Sequence, residues 1–285
     1  IAVKMNLEKI LPSDGPNNDE IQKYINKYRG EIIVIKCGGS VLTDQKLFNQ
    51  FIQDISILNK LGLSICLIHG GGIFINKKLK EKNISNKFIN GLRITNEETI
   101  KIVEEALVEL NLEIINNLKS KNCYSQSITT KNKLITVEPK NKELGFVGEP
   151  KYVNKDILIK ILKKNEVPVI VPMGVGKDEK IYNINADIAA GFIAKNLKSR
   201  RLLLMTDVDG VLDKNKSLIP EINSEKAKEM IDQGTITGGM IPKINTCLDA
   251  VKNGVTGVVI VDGRKNHSIL FELFSDIGSG TLIRK

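Results

Sequence analysis

The segments Ile32–Gly39, with the sequence IIVIKCGG, and Leu63–Gly72, with the sequence LSICLIHGGG, decide the fold of this chain. Each is an apolar, β-branched run that ends at glycines, which is typical of a buried strand leading into a turn. Between them, Gln45–Leu61 has apolar residues at helical spacing. Strand, helix and strand in this order predict a βαβ unit with parallel strands.

The glycines at the ends of these strands indicate an anion site. Glycine lets backbone N–H groups approach an anion, and the following helix points its positive N-terminus at the same place. A third pair, Gly238–Gly239, precedes the helical pattern Met240–Lys252. Three such clusters favour a polyphosphate ligand. None matches the Walker A pattern or the dinucleotide pattern G-x-G-x-x-G, so a dinucleotide oxidoreductase is disfavoured.

Strand and helix patterns alternate from Ile32 to the end of the sequence, which predicts an α/β fold. Leu134–Val137 and Leu144–Val147 predict a hairpin on the rim of the sheet, and Phe88–Thr95 is predicted as a loop. Asn96–Leu118 is predicted as a long helix that Thr95 caps.

The first thirty residues differ from the rest. Asp19–Arg29 carries apolar residues at helical spacing and ends at Gly30, which predicts an amphipathic helix before the first strand. Its apolar face has two interpretations: it packs on its own domain, or it docks on another subunit.

The formal net charge is +9, but the lysines are spread along the chain and form no basic cluster. This distribution favours compositional bias over a nucleic-acid partner. No apolar run approaches the ~20 residues of a membrane helix, and we recognise no export signal. The abundance of Lys, Asn and Ile suits an AT-rich genome, such as that of a plastid or a low-GC bacterium. The expected location is therefore the plastid stroma if the protein is plastid-encoded, and the bacterial cytoplasm otherwise. The scattered Cys37, Cys66, Cys123 and Cys247 and the two histidines predict no metal cluster.

Three charged residues can carry phosphoryl transfer if they converge. Lys36 lies within an apolar strand, where an unpaired ammonium group is costly, and Lys243 lies one turn into a helix. Asp187 begins a helix after Asn183 and Asn185. The alternatives are lysines that reach water and an aspartate that caps its helix. Together they would give two ammonium groups and an orienting carboxylate around a moving phosphoryl group.

Two further side chains bear on the site. Arg93 is a candidate clamp for a substrate carboxylate, because its guanidinium group binds carboxylates through two parallel hydrogen bonds. His69 could act as a base, but a histidine at a strand end beside glycines is more often structural.

The ordered set of motifs resembles the acetylglutamate kinases, which form a branch of the amino acid kinase family. The similarity runs from about Ile32 to the end. The motifs are KCGGS at Lys36, HGGG at His69, FINGLRITN at Phe88, GFVGE at Gly145, YNINAD at Tyr182, TDVDGVL at Thr206, TGGMIPK at Thr237, DGR at Asp262 and ELFSDIGSGT at Glu272.

The resemblance implies a single three-layer α/β/α sandwich around a mostly parallel central sheet, with an extra N-terminal helix. It divides the chain into an N-terminal arm (1–30), a lobe for acetylglutamate binding and dimerisation (31–172), and a lobe for ATP and arginine (173–285). The implied reaction is ATP-dependent phosphorylation of the γ-carboxylate of N-acetyl-L-glutamate, in arginine biosynthesis. Mg-ATP is the implied co-substrate, with no tightly bound cofactor.

The family's site residues transfer onto matching positions. The implied catalytic residues are Lys36, Lys243 and Asp187, and the implied acetylglutamate ligands are Gly71, Gly72, Arg93 and Asn183. The implied nucleotide contacts are Gly38, Gly39, Thr206, Asp207, Gly210, Gly239, Met240 and Lys243. The implied arginine site comprises Tyr24, His267, Glu272, Gly278 and Gly280.

The resemblance also implies partners. Relatives with an N-terminal helix are arginine-inhibited hexamers, so L-arginine as inhibitor and a homodimer or homohexamer are expected. Relatives from photosynthetic lineages bind a PII-type signalling protein, which adds a candidate partner. No nucleic acid and no membrane are expected to bind.

Two departures from the family pattern lie near the implied substrate site. Thr129–Lys133 reads TTKNK where the family has a Gly-Lys-Asp-Gly turn, and Ile73-Phe74 replaces Pro-Gln after the HGGG motif. Both bear on acetylglutamate affinity. Two other functions stay open: an amino acid kinase for a different carboxylate or carbamate, and a catalytically silent arginine sensor. The intact Lys36, Asp187 and Lys243 argue against the second.

Overall fold

The central sheet of this chain contains eight of its fourteen described strands. The computed structural model describes residues 9–276 and 278–285, so residues 1–8 of the predicted arm lie outside the described part. The strands are β1 Ile32–Cys37, β2 Ser64–His69, β3 Phe88–Ile89, β4 Leu92–Arg93, β5 Ser125–Ile128, β6 Ile135–Pro139, β7 Gly148–Val153, β8 Val167–Ile170, β9 Met173–Gly176, β10 Ile181–Asn183, β11 Arg201–Thr206, β12 Glu221–Ile222, β13 Val258–Asp262 and β14 Gly280–Ile283.

Ten α-helices connect these strands within the described residues. They are α1 Asn18–Tyr28, α2 Ser40–Thr43, α3 Gln45–Lys60, α4 Gly72–Glu81, α5 Glu97–Ser120, α6 Lys155–Leu162, α7 Ala186–Leu197, α8 Ser224–Asp232, α9 Met240–Lys252 and α10 Ser268–Phe274. In this part of the chain no helix is both long enough and apolar enough to cross a membrane.

The strand order of the main sheet is β12-β14-β13-β11-β1-β2-β8-β5. Every neighbouring pair is parallel except β13 with β14. The predicted parallel pair β1 and β2 is confirmed and lies at the centre, where β1 is flanked by β2 and β11.

Helices cover both faces of this sheet. Ile33, Ile35 and Cys37 of β1 pack with α1, α3, α5 and α10 on one face, whereas Val34 packs with α6, α7 and α9 on the other. The predicted three-layer α/β/α sandwich is therefore confirmed. Because side chains alternate along a strand, Lys36 shares the face of Val34 and lies on the side of α7.

The predicted rim hairpin needs correction. Its first strand is β6, but its second is β7 and not Leu144–Val147, and the pair belongs to a separate four-stranded sheet of order β10-β9-β6-β7. Leu144 and Val147 are buried in the connecting loop, and Phe146 is partly buried there. A Cβ at Gly148 would lie 2.8 Å from Val137 side-chain atoms, so this position of β7 suits glycine.

Three local predictions also change. Asn96, and not Thr95, caps α5, because its side chain accepts a hydrogen bond from Thr99 N at 2.8 Å. The predicted loop 88–95 contains the antiparallel pair β3–β4. The apolar face of α1 is buried on its own domain, with the Tyr28 ring edge-on to Phe274, so docking of that face on another subunit is wrong.

Candidate active site

A carboxylate between two ammonium groups forms the centre of the site. Lys36 Nζ, at the carboxyl end of β1, lies 3.0 Å from Asp187 Oδ1 at the start of α7. Lys243 Nζ, in the first turn of α9, donates a hydrogen bond to Asp187 Oδ2. The sequence-predicted convergence of these three residues is therefore present.

The electrostatics of this cluster favour the charged aspartate. Burial by itself would raise the pKa of Asp187, but the charges of Lys36 and Lys243 outweigh this effect and lower the pKa to about 2. The carboxylate is therefore ionised at neutral pH and holds two positive charges at the carboxyl end of the central strand β1.

Asn185 frees Asp187 for this role. The Asn185 side chain caps α7 by accepting hydrogen bonds from Asp187 N at 3.0 Å and Ile188 N at 3.1 Å. The alternative that Asp187 itself is the cap is therefore wrong, and its carboxylate is available to the lysines.

The turn after β1 is held by a second aspartate. Gly39 has φ +60°, and a Cβ there would lie 2.6 Å from Asp207 Oδ2. Asp207, the residue after β11, accepts hydrogen bonds from Ser40 N at 3.1 and 3.2 Å. The tight turn requires glycine and brings the carboxyl ends of β1 and β11 together.

A cavity of about 240 Å³ opens beside Lys36. It is lined by the predicted substrate residues Gly71, Gly72, Arg93 and Asn183, together with Gly38 and Gly39. A second cavity of about 780 Å³ is lined by Asp187, Gly239 and Lys243, among others. Gly91, Leu92 and Asn185 line both cavities, so the two spaces adjoin next to the charged cluster.

Arg93 is a buried guanidinium group that neutral side chains hold in place. It is 7% exposed, it donates to Asn76 Oδ1 at 2.9 Å and to Asn86 Oδ1, and its guanidinium group lies 4.8 Å from the Phe88 ring centroid. Burial lowers the pKa of Arg93 to about 10, so it stays charged at neutral pH. Among the described residues its side-chain hydrogen-bond partners are these two amides, and no carboxylate contributes to its pKa. A buried cation held by neutral amides is suited to a carboxylate ligand.

The remaining predicted nucleotide residues occupy nearby positions. Thr206 Oγ1 accepts a hydrogen bond from Val208 N at 3.1 Å in the loop after β11. A Cβ at Gly210 would lie 2.7 Å from Thr281 Oγ1, so that loop packs closely on β14. Met240 is the first residue of α9. These three residues line neither of the two cavities, and their nucleotide contacts stay predictions.

The residues predicted to bind arginine lie around α1 and α10. Gly278 lines a cavity of about 480 Å³ beside the end of α10. Tyr24 donates its hydroxyl to Asp276 Oδ1, which is also on that cavity. Glu272 Oε2 accepts a hydrogen bond from Ser279 N at 2.6 Å, and burial raises its pKa.

The other two predicted arginine residues make internal contacts. His267 is buried, with Nδ1 2.6 Å from Asp54 Oδ1 and Nε2 3.1 Å from Asp14 Oδ1. A Cβ at Gly280 would lie 1.9 Å from the Ile260 carbonyl oxygen, so β14 needs glycine there for packing.

Sequence reasoning missed the amides that hold the site. Asn76 and Asn86 fix Arg93, and Asn111 hydrogen-bonds His69. One of them carried a signal: Asn111 lies four residues after Leu107, within the apolar stripe of α5, where a polar side chain needs a buried partner. His69 is fully buried, which confirms the structural interpretation over the base.

Parallel strands whose glycine turns meet two lysines and a bridging aspartate form a site suited to phosphoryl transfer. The profile of the amino acid kinase family matches residues 31–262, so the chain belongs to the amino acid kinase family.

Two curated relatives are similar over nearly the whole chain. The acetylglutamate kinase of Pelagibacter ubique (strain HTCC1062) is 58% identical over 280 residues, which is 98% of this chain and 97% of the relative. The acetylglutamate kinase of Clostridioides difficile (strain 630) is 46% identical over 272 residues, 93% of this chain and 95% of the relative.

Among solved structures, N-acetylglutamate synthase from Neisseria gonorrhoeae, complexed with coenzyme A and N-acetyl-glutamate, has a TM-score of 0.85 at 23% identity. The match covers 94% of this chain but 62% of that one, so this chain spans less than two thirds of the synthase. At this identity the likeness shows the fold alone.

Proposed function

We propose that this kinase transfers the γ-phosphoryl group of ATP to the γ-carboxylate of N-acetyl-L-glutamate. The observation that carries the proposal is Asp187 between Lys36 and Lys243, at the junction of two cavities. The smaller cavity contains Arg93, a buried cation suited to a substrate carboxylate. The names of the relatives support acetylglutamate as that substrate.

In this proposal the two lobes that the resemblance implies share the work. Residues 31–172 supply Lys36 and Arg93 and would bind acetylglutamate, while residues 173–285 supply Asp187 and Lys243 and would bind Mg-ATP. A γ-carboxylate oxygen attacks the γ-phosphorus, the bond to the β–γ bridging oxygen breaks, and ADP leaves with that electron pair. The attacking carboxylate is already ionised at neutral pH, because its ordinary pKa is about 4.3, so no protein base is needed. The lysines stabilise charge on the moving phosphoryl oxygens.

The test is a substrate panel with Mg-ATP. The product is an acyl phosphate, which hydroxylamine converts to a hydroxamate that can be measured by its iron complex. Formation of hydroxamate with N-acetyl-L-glutamate, in step with ADP release, is expected. Activity with aspartate, glutamate or carbamate and none with N-acetylglutamate would refute the proposal in favour of another amino acid kinase.

Arg93→Lys is expected to raise the KM for N-acetylglutamate by roughly 10–100-fold and to leave the KM for ATP within about threefold. Lysine keeps the charge but cannot donate two parallel hydrogen bonds to a carboxylate. Steady-state kinetics with each substrate varied in turn would measure the split. An equal rise in both KM values would place Arg93 outside the acetylglutamate site.

Regulation by arginine is a second part of the proposal. The carboxylate of Glu272 lies beside the Ser279 N–H near the cavity at the end of α10, where it could pair with a guanidinium group. L-Arginine is expected to raise the acetylglutamate concentration needed for half-maximal rate, and Glu272→Gln is expected to abolish this shift. Arginine inhibition that persists in Glu272→Gln would remove Glu272 from the arginine site.

The assembly and location follow from the same resemblance. A homohexamer is expected, and since the apolar face of α1 is covered by its own domain, any contact through this helix would use its exposed residues, such as Lys23 and Asn26. Light scattering coupled to gel filtration distinguishes hexamer from dimer.

The named relatives are bacterial, which favours the bacterial cytoplasm over a plastid. A PII-type protein stays a candidate partner.

A further inference from the structure

A chain of hydrogen bonds runs through the core to the glycine turn after β2. Ser127 donates its hydroxyl to Asn111 Oδ1 at 2.5 Å, and Asn111 Nδ2 lies 3.0 Å from the Val169 carbonyl oxygen. The same Nδ2 lies 3.1 Å from His69 Nε2, and His69 Nδ1 lies 2.8 Å from the Gly70 carbonyl oxygen. Both His69 and Asn111 are fully buried. The mechanism described above uses none of these side chains.

These contacts allow one tautomer of the histidine. A backbone carbonyl can only accept, so the atom of Asn111 that faces Val169 is the amide nitrogen. That NH₂ group also faces His69 Nε2, which must therefore accept and carries no proton. The proton of the neutral ring is then on Nδ1, which donates to the Gly70 carbonyl. Burial lowers the pKa of His69 to about 4, consistent with a neutral ring.

The hydrogen bond from His69 sets the direction of the next peptide. In a trans peptide the C=O and N–H groups point in opposite directions. Because the Gly70 carbonyl is held towards the buried imidazole, the N–H of Gly71 points away from it, on the side where the glycine turn lines the cavity. Within the described residues this N–H has no acceptor. It lies at the N-terminus of α4, where the helix dipole favours an anion.

The glycine turn needs such a restraint. A Cβ at Gly71 would lie 2.5 Å from Leu107 Cδ2, so a larger residue does not fit without movement. Adjacent glycines, however, tolerate many backbone conformations, and a peptide between two of them can rotate. A rotated Gly70–Gly71 peptide would present a carbonyl oxygen to the anion and repel it.

We propose that His69 is a positioning residue that, as the Nδ1–H tautomer fixed by Asn111, holds the Gly71 N–H towards the transferring phosphoryl group. A Cβ at Gly70 would lie 3.9 Å from Lys36 Cε, so the turn lies beside the lysine that meets that group. The inference rests on the proposed function for the identity of the anion. The hydrogen-bond chain itself does not depend on it.

The tautomer is tested first, on the wild-type protein. The chain has two histidines, so ¹⁵N-histidine labelling and a His267→Gln variant assign the His69 signals. A protonated Nδ1 and an unprotonated Nε2 are expected near neutral pH. A protonated Nε2 would overturn the proposal. This reading needs no activity, so it stays decisive even if the proposed reaction is refuted.

The kinetic test compares two replacements of His69. His69→Phe removes the donor and is expected to lower kcat by roughly 10–100-fold while the KM for acetylglutamate stays within about threefold. His69→Asn places an amide nitrogen the same number of bonds from the backbone as Nδ1 and is expected to recover most of the lost rate. A folded His69→Phe with wild-type kcat would overturn the proposal.

A second pair of variants keeps the test decisive if His69→Phe does not fold. Asn111→Leu removes the group that fixes the tautomer and is expected to lower kcat by about tenfold. Asn59→Leu is the matched control, because Asn59 is also buried and its Nδ2 donates to a carbonyl, that of Asn165 at 2.8 Å. Equal loss of kcat in both would assign the effect to general loss of stability and would refute the positioning role.

Discussion

Lys243→Ala is expected to lower kcat by roughly 10²–10³-fold, with little change in the affinity for acetylglutamate. Lys243 contacts Asp187 and faces the larger cavity, so its ammonium group is placed to meet charge that develops on the phosphoryl oxygens. Interactions that strengthen in the transition state affect turnover more than binding. Single-turnover phosphoryl transfer, followed by rapid quench, measures this step directly.

The chain offers a matched control for this variant. Lys195 and Asp249 also connect α7 with α9, at 2.8 Å, but their side chains are 23% and 54% exposed. An exposed ion pair contributes about 0–1 kcal/mol, so Lys195→Ala is expected to keep wild-type turnover and nearly wild-type stability. Turnover that is unchanged in Lys243→Ala, or lowered equally in both variants, would contradict a role of Lys243 in phosphoryl transfer.

The centre of this fold could be predicted from local sequence. Apolar runs that end at glycines identify β1 and β2, and strand alternation places Lys36 on the same face as Val34. Local sequence does not place the partners of Lys36 next to it. Asp187 and Lys243 lie far along the chain, and only the packing of α7 and α9 brings them to β1. The residue types predicted a phosphoryl-transfer cluster on the condition that the three residues converge, and the motif resemblance implied that they do.

The errors in the prediction have physical causes. The strand β7 reads GEPKYV, where glycine, proline and charged residues conceal a strand of a small second sheet. Leu144 and Val147 are buried without belonging to a strand, because the loop packs into the core. The side chains of Asn76 and Asn86 resemble ordinary solvated amides in the sequence. Their contact with Arg93 exists only once α4 and the β3–β4 hairpin are in place.

Asp187→Asn is expected to lower kcat by roughly 10²-fold, although the side chain keeps its shape. The single oxygen of the amide can still accept a hydrogen bond from one lysine. Its NH₂ group can only donate, so it cannot bond to the ammonium group of the other lysine. Lys36 and Lys243 then lose the charge that holds them together and repel each other. The lysines are displaced from the reacting phosphoryl group, so turnover falls without loss of any catalytic ammonium. Asp249→Asn, on the exposed pair between the same helices, is the control and is expected to turn over at the wild-type rate.

The same variant is expected to change how the free energy of unfolding depends on pH, which can be measured without substrate. The pKa of Asp187 is about 2 in the folded protein against an ordinary value of 3.8, and this difference stabilises the folded state by about 2 kcal/mol at neutral pH. Because the folded-state pKa is the lower one, this contribution is complete above about pH 5 and is lost as pH falls through about 2. Urea unfolding between pH 6 and 2.5 should therefore show a difference in the free energy of unfolding between wild type and Asp187→Asn that shrinks with acid. A difference that stays constant over this range would mean that Asp187 is not held as a carboxylate by its two lysines.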